Sequence, residues 1–216
     1  MLINKNFIIL IISIFTLSLS CTSEFISDGR QICFEQEVLP ILVSTCTQSG
    51  CHNSDDHEAG YDYTDLNSIL SSVKPGNYSG SELYKVLTDP FQPMPPSPFN
   101  RLTKEQIFKI SLWIEQGAEN LPCIAPACDT TEVSYNATVF PILQLYCNGC
   151  HAGPRPQGDV DYNSFSGLKA TITDGRFIGS ILHEIGYIGM PKNGNKMPEC
   201  EILQIQKWVR DGAKNN

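Results

Sequence analysis

Two stretches of this 216-residue chain repeat each other in the same order over just under one hundred residues, and that duplication limits the fold more than any other feature. Val38-Leu39-Pro40-Ile41-Leu42 returns as Val139-Phe140-Pro141-Ile142-Leu143, and Cys51-His52 as Cys150-His151. Met94-Pro95 returns as Met190-Pro191. Leu112-Trp113-Ile114-Glu115-Gln116-Gly117-Ala118 returns as Lys207-Trp208-Val209-Arg210-Asp211-Gly212-Ala213. The chain therefore reads as two small domains, residues 33–122 and 128–216, with the boundary in the aperiodic, proline-containing stretch Leu121 to Pro126.

Each half reads as helical. Val38, Ile41 and Leu42, and likewise Val139, Ile142 and Leu143, fall at i, i+3, i+4 on one face of a first helix. Pro40 and Pro141 belong in a first turn, where a missing N–H costs nothing. A last helix starts at Thr103, with Gln106 placed to complete a capping box. It runs Ile107, Ile110, Ile114 and stops at Gly117; its counterpart runs Ile202, Ile205, Val209 and stops at Gly212. Trp113 and Trp208 are expected to pack the last helix against the first. Two or three helices in about ninety residues bury too little apolar surface for high stability, so each half calls for a further core.

Cys147-Asn148-Gly149-Cys150-His151 supplies the chemistry. Two thiols three positions apart on one turn can both bond the vinyl groups of a porphyrin, and the adjacent imidazole then faces the iron; C-x-x-C-H is the attachment sequence for c-type haem. A zinc knuckle would want four N/S ligands, and a thioredoxin-like pair would want a βαβ context that is missing. The first half carries a stretched version, Cys46-Thr47-Gln48-Ser49-Gly50-Cys51-His52, with four residues between the cysteines. The extra residues can bulge out of the turn without moving either thiol far. Two covalent haems are therefore expected, on Cys46, Cys51 and His52 and on Cys147, Cys150 and His151, and a buried macrocycle would complete each core.

Thioether sulfur is a common second axial ligand of haem iron. Met94 lies nineteen residues before Trp113, Met190 eighteen before Trp208 and Met197 eleven before it, in register with Leu102. Met94 and Met190 are thus the expected ligands, and Met197 packing. His57 and His183 read as surface or haem-edge residues. Cys33, Cys123, Cys128 and Cys200 remain. The expected disulfides, Cys33–Cys123 and Cys128–Cys200, tie the start of each half to its last helix, while sequence alone leaves the other two pairings open.

Residues 1–20 form a short apolar stretch behind Lys5, ending in Leu17-Ser18-Leu19-Ser20-Cys21. This reads as a signal of lipoprotein type with Cys21 lipidated and residues 21–32 as a tether; an ordinary secretory signal cut near Ser20 is the alternative. Either places the mature chain outside the cytoplasm, periplasmic or bound to the outer membrane, with any membrane association through the lipid alone. The mature chain carries 14 Lys+Arg against 23 Asp+Glu, a net charge of −9. That balance disfavours nucleic acid and suits a basic redox partner.

Taken together, the haem motifs, the Met-Pro loops and the closing Trp-x-x-x-Gly-Ala resemble tandem class I cytochrome c domains, over about residues 33–120 and 128–213. The resemblance implies an all-α fold of two tandem small domains. It also implies thioethers at Cys147 and Cys150 with axial His151 and Met190, and the same roles for Cys46, Cys51, His52 and Met94. Six-coordinate iron has no open position, so the implied activity is outer-sphere electron transfer between redox partners rather than catalysis. A dihaem peroxidase, a haem-based sensor and an electron-transfer module of a larger complex are the alternatives; a methionine in each half argues against the open iron that a peroxidase needs.

Overall fold

Proline sets the start of each repeat in the computed structural model, which describes residues 29–123 and 127–216. Pro40 and Pro141 sit in the first turns of α1 (Leu39–Cys46) and α5 (Phe140–Tyr146). Each helix is entered through a wider π-type turn, Phe34–Val38 and Tyr135–Val139. Both last helices, α4 (Lys104–Glu115) and α8 (Glu199–Arg210), end just before a glycine with positive φ, Gly117 at 106° and Gly212 at 98°. Thr103 and Gln106 close the capping box at the start of α4. The described residues form eight helices and no strand, an all-α fold.

The tryptophans join the two ends of each repeat. Trp113 stacks on Phe34 with ring centroids 5.1 Å apart, and Trp208 stacks on Tyr135 at 5.7 Å. Both indoles are buried and donate to backbone carbonyls, of Glu119 and Lys214, so their one polar atom is satisfied. Burying a side chain of this size stabilises by roughly 3 kcal/mol.

Four helices, rather than two or three, make up each repeat. The additional ones are α2 (Leu66–Ile69) and α3 (Glu82–Thr88) in the first, and α6 (Phe165–Thr173) and α7 (Arg176–Leu182) in the second. They are too short for an apolar period to repeat, so side-chain caps and tertiary packing define them. Asp65 accepts from the N–H groups of Asn67 and Ser68 at the start of α2, and Ser164 accepts from Gly167 at the start of α6.

Gln31–Asn216 form one compact unit. Cys33 is bonded to Cys123 and Cys128 to Cys200, which closes the choice of pairing that the sequence left open. Within this unit α1 packs on α5, and Ser44 Oγ, buried, donates to the Leu145 carbonyl at 3.2 Å. No helix among the described residues is long and apolar enough to cross a membrane. The signal segment 1–20, Cys21 and most of the 21–32 tether lie outside the described residues.

Candidate functional site

The carboxyl end of each first helix opens into a cysteine–histidine turn. His151 N–H donates to the Cys147 carbonyl at 2.8 Å; His52 N–H donates to the Cys46 carbonyl at 3.0 Å, although two more residues intervene. Those residues are therefore looped out, and the bond that fixes histidine to first cysteine is retained. The loop has its own supports. Gly50 turns at φ 76° and donates its N–H to Asp56 Oδ2 at 2.6 Å, while Asn53 bridges Asp56 to the Gln48 carbonyl. These bonds hold the Asp56 carboxyl below its ordinary value near 3.8.

Both imidazoles are oriented in the same way. His52 Nδ1 lies 2.9 Å from the Glu58 carbonyl and His151 Nδ1 2.9 Å from that of Gln157. A carbonyl only accepts, so Nδ1 carries the proton and Nε2 keeps its lone pair for a metal. Burial, partly offset by hydrogen bonds to the Gln157 and Val160 carbonyls, keeps the His151 imidazole below its ordinary value and so favours the neutral, coordinating form. A pair of residues absent from the sequence reading backs these rings. Tyr63 and Tyr162, both buried, donate their N–H groups to the His52 and His151 carbonyls and lie with ring centroids 5.2 and 5.3 Å from the imidazoles. The signal was present: Asp-Tyr follows each histidine with the tyrosine eleven residues on.

Burial holds these thiols in their protonated form. Burial, reinforced by Cys51 and Cys150, pushes Cys46 up to about 12; burial, reinforced by Cys150, takes Cys147 to about 12. Cys150 rises to about 11, through burial first and Cys51 second, with Lys192 opposing. A thiol–disulfide catalyst needs the opposite shift. All four of these cysteines are free, while Cys33, Cys123, Cys128 and Cys200 are used in disulfides. A zinc cluster at the latter four is thereby ruled out.

Two cavities complete the sites. One, of about 310 Å³, is lined by Cys46, Cys51, His52, Tyr63, Leu83, Leu87 and Met94. The other, of about 530 Å³, is lined by Cys147, Cys150, His151, Tyr162, Phe177, Ile181 and Met190. Each methionine is fixed through its backbone: Met94 N–H donates to the Val86 carbonyl of α3 at 2.8 Å and Met190 N–H to the Ser180 carbonyl of α7 at 3.0 Å. Met197 also borders the second cavity but is buried in the core beside Ile202 and Ile205. His57 is exposed, lies 3.8 Å from Asp62 and does not line the first cavity. His183, also exposed, braces the distal loop, with Nε2 3.1 Å from the Met190 carbonyl.

Residues 49–98 match the family model described as Planctomycete cytochrome C. The match spans Cys51, His52, Tyr63 and Met94, the greater part of the first cavity's chemistry, and supports a cytochrome c-type domain with covalently bound haem and haem-based electron transfer in this stretch. No curated protein and no solved structure matches the chain. The chain's own residues fit such a group. Each cavity joins two protonated thiols, an imidazole with Nε2 available and a thioether within mostly apolar walls. Tyr146, at the second cavity, has a buried hydroxyl with no hydrogen-bond partner in the protein.

Proposed function

We propose that this chain is an extracytoplasmic dihaem c-type cytochrome, an electron carrier built of two tandem domains (33–122 and 128–216) and tethered through a lipid on Cys21. The observation that carries the reading is the recurrence, in two cavities of one chain, of the same set: two thiols, an Nδ1-protonated histidine and a methionine whose N–H is tied to the helix before it.

Haem c bound in these cavities supplies reversible one-electron exchange through its porphyrin edge. Cys46 with Cys51, and Cys147 with Cys150, hold it covalently. His52 and His151 present Nε2 while the Glu58 and Gln157 carbonyls keep their rings from turning. Met94 and Met190, which line the cavities, would offer their thioether sulfurs to the iron. Tyr63, Leu83, Tyr162 and Phe177 exclude water from the walls and keep the local dielectric low. With a histidine and a methionine at each cavity available to hold the iron, no place would remain for a substrate at the metal, and electron exchange would be outer-sphere. A net charge of −9 after signal removal suits a basic redox protein as partner.

Spectroelectrochemistry of the matured chain tests the function. The expected result is reversible uptake of two electrons per chain with a low-spin spectrum throughout, and, in Met190→Ala, loss of the second site's share of the methionine-to-iron band while the share from Met94 remains. A high-spin component with peroxide turnover would replace this reading by a peroxidase.

A further inference from the structure

In the stretched motif the Gln48 carbonyl serves the first site, accepting from the Cys51 N–H and from Asn53 Nδ2, but the Gln48 side chain does not. Thr47 and Gln48 also make contacts with the second site. Gln48 is only 5 % exposed, yet its side chain points out of its own repeat: Nε2 donates to the Gly149 carbonyl at 2.8 Å and Oε1 accepts from Gln157 Nε2 at 2.9 Å. Gln157 is the residue whose carbonyl holds His151 Nδ1. Beside it, the buried Thr47 offers its carbonyl to Asn193 Nδ2 at 3.0 Å, three residues beyond Met190. The same loop thus grips the proximal turn and the distal loop of the other repeat.

We propose that Thr47 and Gln48, in the expanded loop of the first motif, are positioning residues for the second haem site, clamping its histidine and methionine sides together and keeping water from the gap between the repeats. The inference rests on the haem reading of the second cavity, but not on the first cavity being loaded. The chemistry is that of an outer-shell support. Gln157 is steadied by an amide that is itself buried and satisfied at both ends, and such partners tune a metal site without touching the metal. Releasing the clamp admits water, which favours the more highly charged oxidised state, so the second site's potential falls.

The test uses the full matured chain in two variants. Gln48→Leu keeps size and removes both amide hydrogen bonds; deletion of Gln48 and Ser49 leaves Cys46-Thr47-Gly50-Cys51-His52, an ordinary attachment sequence that keeps Thr47 but lacks the Gln48 part of the clamp. Haem is counted by intact mass, and midpoints are read by optical redox titration, assigned with a Cys46→Ser/Cys51→Ser chain that holds only the second site. Both variants are expected to retain the parent haem count while the second site's reduction equilibrium falls about tenfold, 59 mV for a one-electron couple. Should the deletion fail to fold, Gln48→Leu decides. An unchanged second midpoint at full haem count would overturn the clamp and leave the dihaem reading standing. A parent chain with haem on the second motif alone would overturn the dihaem reading, and the clamp would still be measured.

Discussion

The two cavities share a plan but not a field. At the first, Asp56 and Glu58 add to burial in raising the Cys51 thiol, so the local potential there is negative. At the second, Lys192 offsets part of the rise that burial and then Cys51 give the Cys150 thiol. The lining says the same: Glu58 and Glu82 border the first cavity, Arg176 and Lys192 the second. Duplication supplied two copies of one ligand frame, and surface charge then made them unequal. If both sites hold haem as proposed, unequal fields would give internal electron transfer a preferred direction.

The largest effect expected from breaking this comparison is at glycine. Gly50 and Gly149 both precede the second cysteine, but for different reasons. A Cβ at Gly149 would overlap the Ser44 carbonyl oxygen of the first repeat, a backbone atom that cannot rotate away. A Cβ at Gly50 would meet nothing, and only its φ of 76° demands glycine. Gly149→Ala should therefore cost about 2–3 kcal/mol in a denaturant titration through overpacking between the repeats. Gly50→Ala should cost only about 1–2 kcal/mol, the ordinary penalty of a left-handed backbone. Equal losses would mean that the repeats do not meet at Gly149.

A smaller effect sharpens the contrast of fields. Negative charge stabilises the oxidised state, so the first site should have the lower potential, and electrons should settle on the second. Lys192→Gln should lower the second midpoint and leave the first nearly unmoved, by less than a tenfold change in the reduction equilibrium, because exposed charges are screened. Redox titration at low and high salt reads this directly: the gap between midpoints should narrow as salt rises. A first site with the higher potential would show that burial, not charge, orders the pair.

Most of the residues that line the two cavities could be read from the sequence because their signals are local or repeated. The Cys150-His151 adjacency, the Met-Pro loops and the capping box at Thr103 need no knowledge of distant contacts. The order of the repeat favours Met190 over Met197; both border the second cavity, and Met197 is buried in the core. Other features depended on packing. Residues α2 and α3 contribute are too few to show a period, so half the helices of the first repeat were not visible. Tyr63 and Tyr162 look like ordinary core aromatics until their contact with the imidazoles is seen. Gln48 appeared to be filler in a lengthened motif. Its partners lie 101 and 109 residues away, in a repeat that periodicity treats as a separate domain.

The central claim is that both motifs, the stretched one included, hold haem. Intact-mass and peptide-mass analysis of the chain matured with haem-attachment machinery tests it most directly. Two haem increments are predicted, one on the peptide holding Cys46 and Cys51 and one on that holding Cys147 and Cys150. A single increment, confined to Cys147 and Cys150, would contradict it.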